Sequence, residues 1–105
     1  MNKKTFVIDA LKVIYLAASN KLSCSSHEAC RLFNWPQEYT KSIIDYARSH
    51  GYIDITLKQL LENKADECTI TTRGEKTLID FGILDRKGLI KLEQLDEYLE
   101  RVVKE

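Results

Sequence analysis

Net charge is what this chain most plainly lacks: 16 Lys and Arg balance 16 Asp and Glu. A domain that lives on nucleic acid often carries a basic excess, so any such role here needs a local patch. Residues 1–56 hold seven basic and five acidic side chains, and residues 57–105 hold nine and eleven. The asymmetry runs the right way but is small. Paired metal ligands are missing too. The three cysteines, Cys24, Cys30 and Cys68, show no CxxC spacing, and their odd number argues against a disulfide framework and a zinc site. Cys24 and Cys30 flank His27, yet no second ligand pair exists, so buried thiols in a reducing compartment are expected. No apolar run approaches the ~18 residues of a membrane span. Asp9 and Lys12 interrupt the one near the N-terminus. The expectation is a cytoplasmic protein with no cofactor, metal or membrane partner. No GxSxG, phosphate-cradling glycine loop or HExxH occurs. His27 and Cys30 lack an orienting third group, so no enzyme activity is expected. Internal repeats and low-complexity tracts are also absent.

What is present, in 105 residues, is one domain's worth of helix and strand signals. Thr5 to Ser19 reads as a helix capped by Thr5 and apolar on more than one side, hence buried on more than one side. Leu22-Ser23-Cys24 suits a minor strand. Ser25 with Glu28 forms a capping box for a short helix to about Asn34, which buries Ala29, Leu32 and Phe33. Pro36 ends that helix and opens the third, which runs to His50. Thr40, Ile43, Ile44 and Ala47 share its inner face, flanked by Tyr39 and Tyr46, and Gly51 suits the left-handed residue after it. Trp35, at the turn before, is read as closing the core.

Tyr52 to Lys58 and Cys68 to Thr71 alternate as two strands of an antiparallel hairpin around a polar loop. Leu60 and Leu61 extend the first strand or form a helical turn. Thr72 is expected to cap a fourth helix, Arg73 to Phe81, which Gly82 stops; Ile83 to Gly88 reads as a connector. The last segment, Leu89 to Val103, carries Leu92, Leu95, Leu99 and Val102 at spacings of three, four and three. The fold class is mainly α with a small β-ribbon (α+β).

Helix, short strand, two helices, strand, loop, strand, helix is the order of a winged helix-turn-helix. His50-Gly51-Tyr52-Ile53 resembles the joint that ends the recognition helix in winged-helix regulators. Thr69-Ile70-Thr71-Thr72-Arg73-Gly74-Glu75-Lys76-Thr77-Leu78 resembles their x-I/L-T-x-x-G-x-x-x-L pattern, and Gly51 and Gly74 stand 23 residues apart. Over residues 5–82 the chain is similar to the MarR and PadR-like DNA-binding regulators. The resemblance implies a winged helix-turn-helix domain over residues 1–82, with a connector and additional C-terminal dimerisation helix over 83–105. It also implies that the third helix meets double-stranded DNA in the major groove.

With Ile44 and Ala47 inward, the outward face of that helix holds Gln37, Glu38, Lys41, Asp45 and Arg48, with Ser42 on its edge. Gln37 suits adenine, and Lys41 or Arg48 suits guanine or phosphate. Lys58 and Lys64 would bring the wing to the backbone. Lys41 and Arg48 are matched by Glu38 and Asp45, and a neutral helix gains little from counterion release. The alternative is therefore a winged-helix protein-interaction module, an adaptor or an inhibitor, using the same surface on a protein partner. The C-terminal stripe of Leu92, Leu95, Leu99 and Val102 either packs on the chain's own first helix or pairs with its mate in a homodimer. The breadth of the apolar surface on the first helix favours the homodimer.

Overall fold

The first helix is built to be enclosed. In the computed structural model, which describes residues 3–19, 27–56 and 67–103, α1 (Lys3–Ala18) buries an almost unbroken run from Ile8 to Ala17. It starts at Lys3, so Thr5 lies inside its first turn and is not its cap. Two helices follow, α2 (His27–Phe33) and α3 (Gln37–Ser49). Strands β1 (Ile53–Thr56) and β2 (Glu67–Ile70) pair antiparallel, with Ile53 opposite Ile70 and Thr56 opposite Glu67. Then come α4 (Thr72–Asp80), the two-residue strands β3 (Leu84–Asp85) and β4 (Gly88–Leu89), and α5 (Leu92–Val102). The chain is mainly helical with small antiparallel sheets, an α+β protein. The expected strand at Leu22–Cys24, the Ser25–Glu28 capping box, Leu60–Leu61 and the polar loop lie outside the described residues and side chains.

One device ends three of the helices. A left-handed residue follows the last turn, and the next N–H reaches back five residues. Asn34 has φ 55°, Gly51 77° and Gly82 75°. The bonds are Trp35 N–H to the Cys30 carbonyl (3.2 Å), Tyr52 to Ala47 (2.9 Å) and Ile83 to Leu78 (2.8 Å). This is the Schellman closure, which satisfies carbonyls that a helix end otherwise leaves bare. Pro36 occupies the N-cap position of α3 with ψ 147°, one residue before the helical turn expected to begin with it. The cap of α4 is also shifted by one: Thr71, not Thr72, accepts from the Gly74 N–H at 3.0 Å.

The expected connector Ile83–Gly88 is in fact a small hairpin. Leu84 pairs with Leu89, Asp85 with Gly88, and Asp85 Oδ1 accepts from the Lys87 N–H at 2.8 Å across the turn. It aims α5 back at α1. The Tyr15 hydroxyl donates to the Ile90 carbonyl (2.6 Å), and Tyr98 donates to Phe81 (2.8 Å). Leu89, expected inside the last helix, belongs to β4.

The C-terminal stripe resolves in favour of the chain's own first helix. Leu95 and Leu99 are 1% and 0% exposed within one chain, and Leu92 and Val102 are half-buried against the same core. Within one chain Leu95 and Leu99 are thus covered by the chain's own core. Helix α1 contacts α3, α4, β2 and α5, so α5 covers the side that the sequence reading assigned to a partner. A tethered helix competes at an effective concentration far above that of a free second copy. Each buried leucine contributes about 1.5–3 kcal/mol. The flanking ion pairs, Lys4–Glu100 at 3.4 Å and Lys12–Asp96 at 2.7 Å, have exposed carboxylates and are each worth about 0–1 kcal/mol. The apolar stripe, not the charges, holds the helix. Ile83, Leu95, Leu99 and Val103 share one core with α1, so no packing boundary falls at residue 82. Among the described residues no helix is long and apolar enough to cross a membrane.

Candidate nucleic-acid interface

Helix α3 divides cleanly. Thr40, Ile43, Ile44 and Ala47 are buried, as their spacing dictates for a one-sided helix. Gln37, Glu38, Lys41, Ser42, Asp45 and Arg48 are all exposed on the other side. The structure thus brings six of the eight proposed contact residues onto one face. Lys58 and Lys64 lie outside the described residues.

Both ends of the helix are anchored. At the N-terminal end, Tyr39 donates its hydroxyl to the buried carboxylate of Asp9 on α1. Burial pushes the Asp9 carboxyl above the usual aspartate range; the Tyr39 bond and Lys12 pull it part of the way back, and Asp96 adds to the rise. Burial and the same carboxylate push the Tyr39 phenol well above its ordinary value. The buried Thr40 hydroxyl donates to the Pro36 carbonyl (3.0 Å) and accepts from the Cys30 thiol (3.2 Å). Cys30 is thus a half-buried packing thiol with a hydroxyl partner. Phe33, Trp35 and Tyr39 cluster at the turn, with ring centroids 4.8 and 5.6 Å apart, and Trp35 is half-buried there.

At the C-terminal end, Gly51 reverses the chain at φ 77°, a conformation that L side chains rarely adopt. The Thr71 hydroxyl donates to the Gly51 carbonyl at 2.5 Å while accepting from Gly74. Gly74 itself is required by space: a Cβ there would collide with the Tyr52 carbonyl oxygen. One threonine and one glycine therefore lock α4 to the joint after α3. This is the physical content of the Thr-x-x-Gly spacing.

The charges on the exposed face are balanced, with Lys41 and Arg48 against Glu38 and Asp45. Lys41 and Asp45 stand four apart but form no ion pair. Ser42 is less free than its exposure suggests, because its hydroxyl donates to the Glu38 carbonyl at 3.1 Å. Two features escaped the sequence reading. Arg73, in the first turn of α4, lays its guanidinium 5.8 Å over the Tyr52 ring and adds a cation beside the joint. The His50 ring nitrogen Nδ1 donates to the Tyr46 carbonyl at 3.0 Å, and the ring sits between Tyr46 and Tyr52 with centroids 4.0 and 6.2 Å away. The aromatic spacing at 46, 50 and 52 is the signal that could have found this stack. Among the described residues, no cluster of three His, Cys, Asp or Glu side chains could hold a metal ion. Comparisons with protein-family models, curated proteins and solved structures give no match to this chain.

Proposed function

We propose that this chain is a winged helix-turn-helix domain, similar to the MarR and PadR-like regulators, that binds double-stranded DNA as a homodimer and catalyses no reaction. The observation that carries the reading is α3, a helix buried on one side, anchored at both ends and exposing six polar or charged side chains on the other. A hairpin follows it directly, as a wing would. In this reading Gln37, Lys41 and Arg48 approach bases and phosphates. Arg73 adds a cation at the C-terminal end of α3, and Lys58 and Lys64 extend the contact along the wing. Pairing of two copies would use a surface other than Leu95 and Leu99, since those side chains are spent inside the chain.

The balanced charge of that face favours a second reading, in which the same surface docks a protein partner. A gel-shift titration with mixed duplex DNA at low and raised salt separates the two. The DNA reading expects binding that weakens steeply with salt, with Lys41→Ala and Arg48→Ala each lowering the logarithmic salt slope by about one. Absence of binding at low salt would sink the DNA reading and leave the protein-docking one.

A further inference from the structure

Helix α4 and the hairpin after it form an open groove of about 610 Å³, lined by Glu75, Ile79, Gly82, Leu84, Asp85 and Arg86. Helix α4 has a buried face for apolar side chains, yet only Leu78 uses it: Leu78 is 0% exposed and Ile79 is 52% exposed. Ile79 is the most exposed large apolar side chain among the described residues. A lone surface isoleucine would need no explanation. This one lines a concavity together with half-buried Leu84, and exposed charged side chains complete the lining. An apolar centre with a charged rim is the anatomy of a protein interface.

We propose that this groove docks a second copy of the chain about a two-fold axis. The inference rests on the homodimer reading above and supplies the surface that Leu95 and Leu99 do not. The charges choose the occupant. Glu75 stands one helical turn before Ile79 on the same face of α4, and Arg86 stands past Leu84 at the turn of the hairpin. The acid comes from the helix side of the groove and the base from the hairpin side. Among the described residues, neither forms an ion pair within the chain. A two-fold axis beside Ile79 sets helix side against hairpin side and brings each Arg86 to the Glu75 of the other copy, so one patch complements itself. The rim carries both signs, Glu75 and Asp85 against Arg86, which suits a copy of itself better than a partner of one charge sign. None of the lining residues belongs to α3, so pairing leaves the exposed face of α3 open. The lining is small against the roughly 20–30 residues a side of a standard interface, so the pairing is weak.

Sedimentation equilibrium of the full chain tests the proposal. A monomer–dimer exchange with Kd of about 10–500 µM is expected. Ile79→Asp should weaken it about tenfold or more. Glu75→Arg and Arg86→Glu should each weaken it about fivefold, and the two reversals combined should return it to within about twofold of the native chain. All three side chains are exposed, and circular dichroism checks that each variant keeps its fold. Should Ile79→Asp fail to fold, the charge reversals decide. A native chain that stays monomeric up to about 1 mM overturns this proposal and the homodimer reading together. A dimer that the folded variants leave intact overturns this surface alone, and so do single reversals that the combined variant fails to repair. Duplex binding in the gel shift tests the DNA reading separately.

Discussion

Helices α1 and α3 lie against each other, yet the sequence uses them in opposite ways. Helix α1 is enclosed by α3, α4, β2 and α5 and even buries a carboxylate, Asp9. Helix α3 gives one face to that core and leaves the other entirely to solvent. The difference separates stability from recognition. The buried side chains of α1 hold the fold; the outward side chains of α3 face solvent, where they can meet a partner. Asp9 and Tyr39 join the two helices at the point where the enclosed one touches the open one.

Substitutions can break or sharpen that contrast. The largest effect is expected on α1, where Leu16 is fully buried: Leu16→Ala should cost about 2–5 kcal/mol, read as a lower urea midpoint at unchanged slope. Leu99→Ala should cost about 2–3 kcal/mol, towards the lower end because α5 lies at the edge of the core and can relax. The mass measured by light scattering should not change with it. A shift towards monomer would restore Leu99 to an interface between copies.

Asp9→Asn tests the joint between the helices, and its sign follows from the buried carboxyl. Because folding raises the Asp9 pKa, the folded state holds its proton more tightly than the unfolded state does. The burial penalty is therefore full above the raised folded value. It fades as pH falls through that value towards the unfolded one near ~3.9. The Asn variant keeps an acceptor for Tyr39, so it should gain on the native protein at pH 7 and lose that gain as pH approaches 4. Melting curves across that range, showing a difference independent of pH, would contradict the assignment. The smallest effect on stability is expected on the open face: Lys41→Ala and Arg48→Ala should each stay within about 0.5 kcal/mol of the native protein. A much larger loss would mean that this face is not free.

Much of this was readable from the residues. The 3.6-residue spacing of Thr40, Ile43, Ile44 and Ala47 gave the orientation of α3, because helical geometry fixes which side chains share a face. Gly51 and Gly82 marked their helix ends for a conformational reason that is local to each. What failed to show needed information from elsewhere in the chain. Two adjacent threonines, 71 and 72, are equivalent caps until the Gly51 carbonyl and the Gly74 N–H choose between them. The strands at 84–85 and 88–89 are too short to show any alternation. Periodicity found the stripe on α5 but says nothing about which surface covers it. Asp9 registered only as a break in an apolar run, since its partner Tyr39 lies 30 residues away.

The clasp of α5 over α1 has a consequence for the order of assembly. Tyr15 meets Ile90 across 75 residues, and Lys4 in the first turn of α1 meets Glu100 near the end of α5. Closing a loop of that length comes late, after local helices and hairpins have formed. On a ribosome, α1 is made before α5, so the side of α1 that α5 covers waits for its match. Until the segment around Leu99 has emerged, a nascent chain exposes that apolar side to the cell. Chains arrested before α5 should therefore be captured by chaperones more readily than chains that include it.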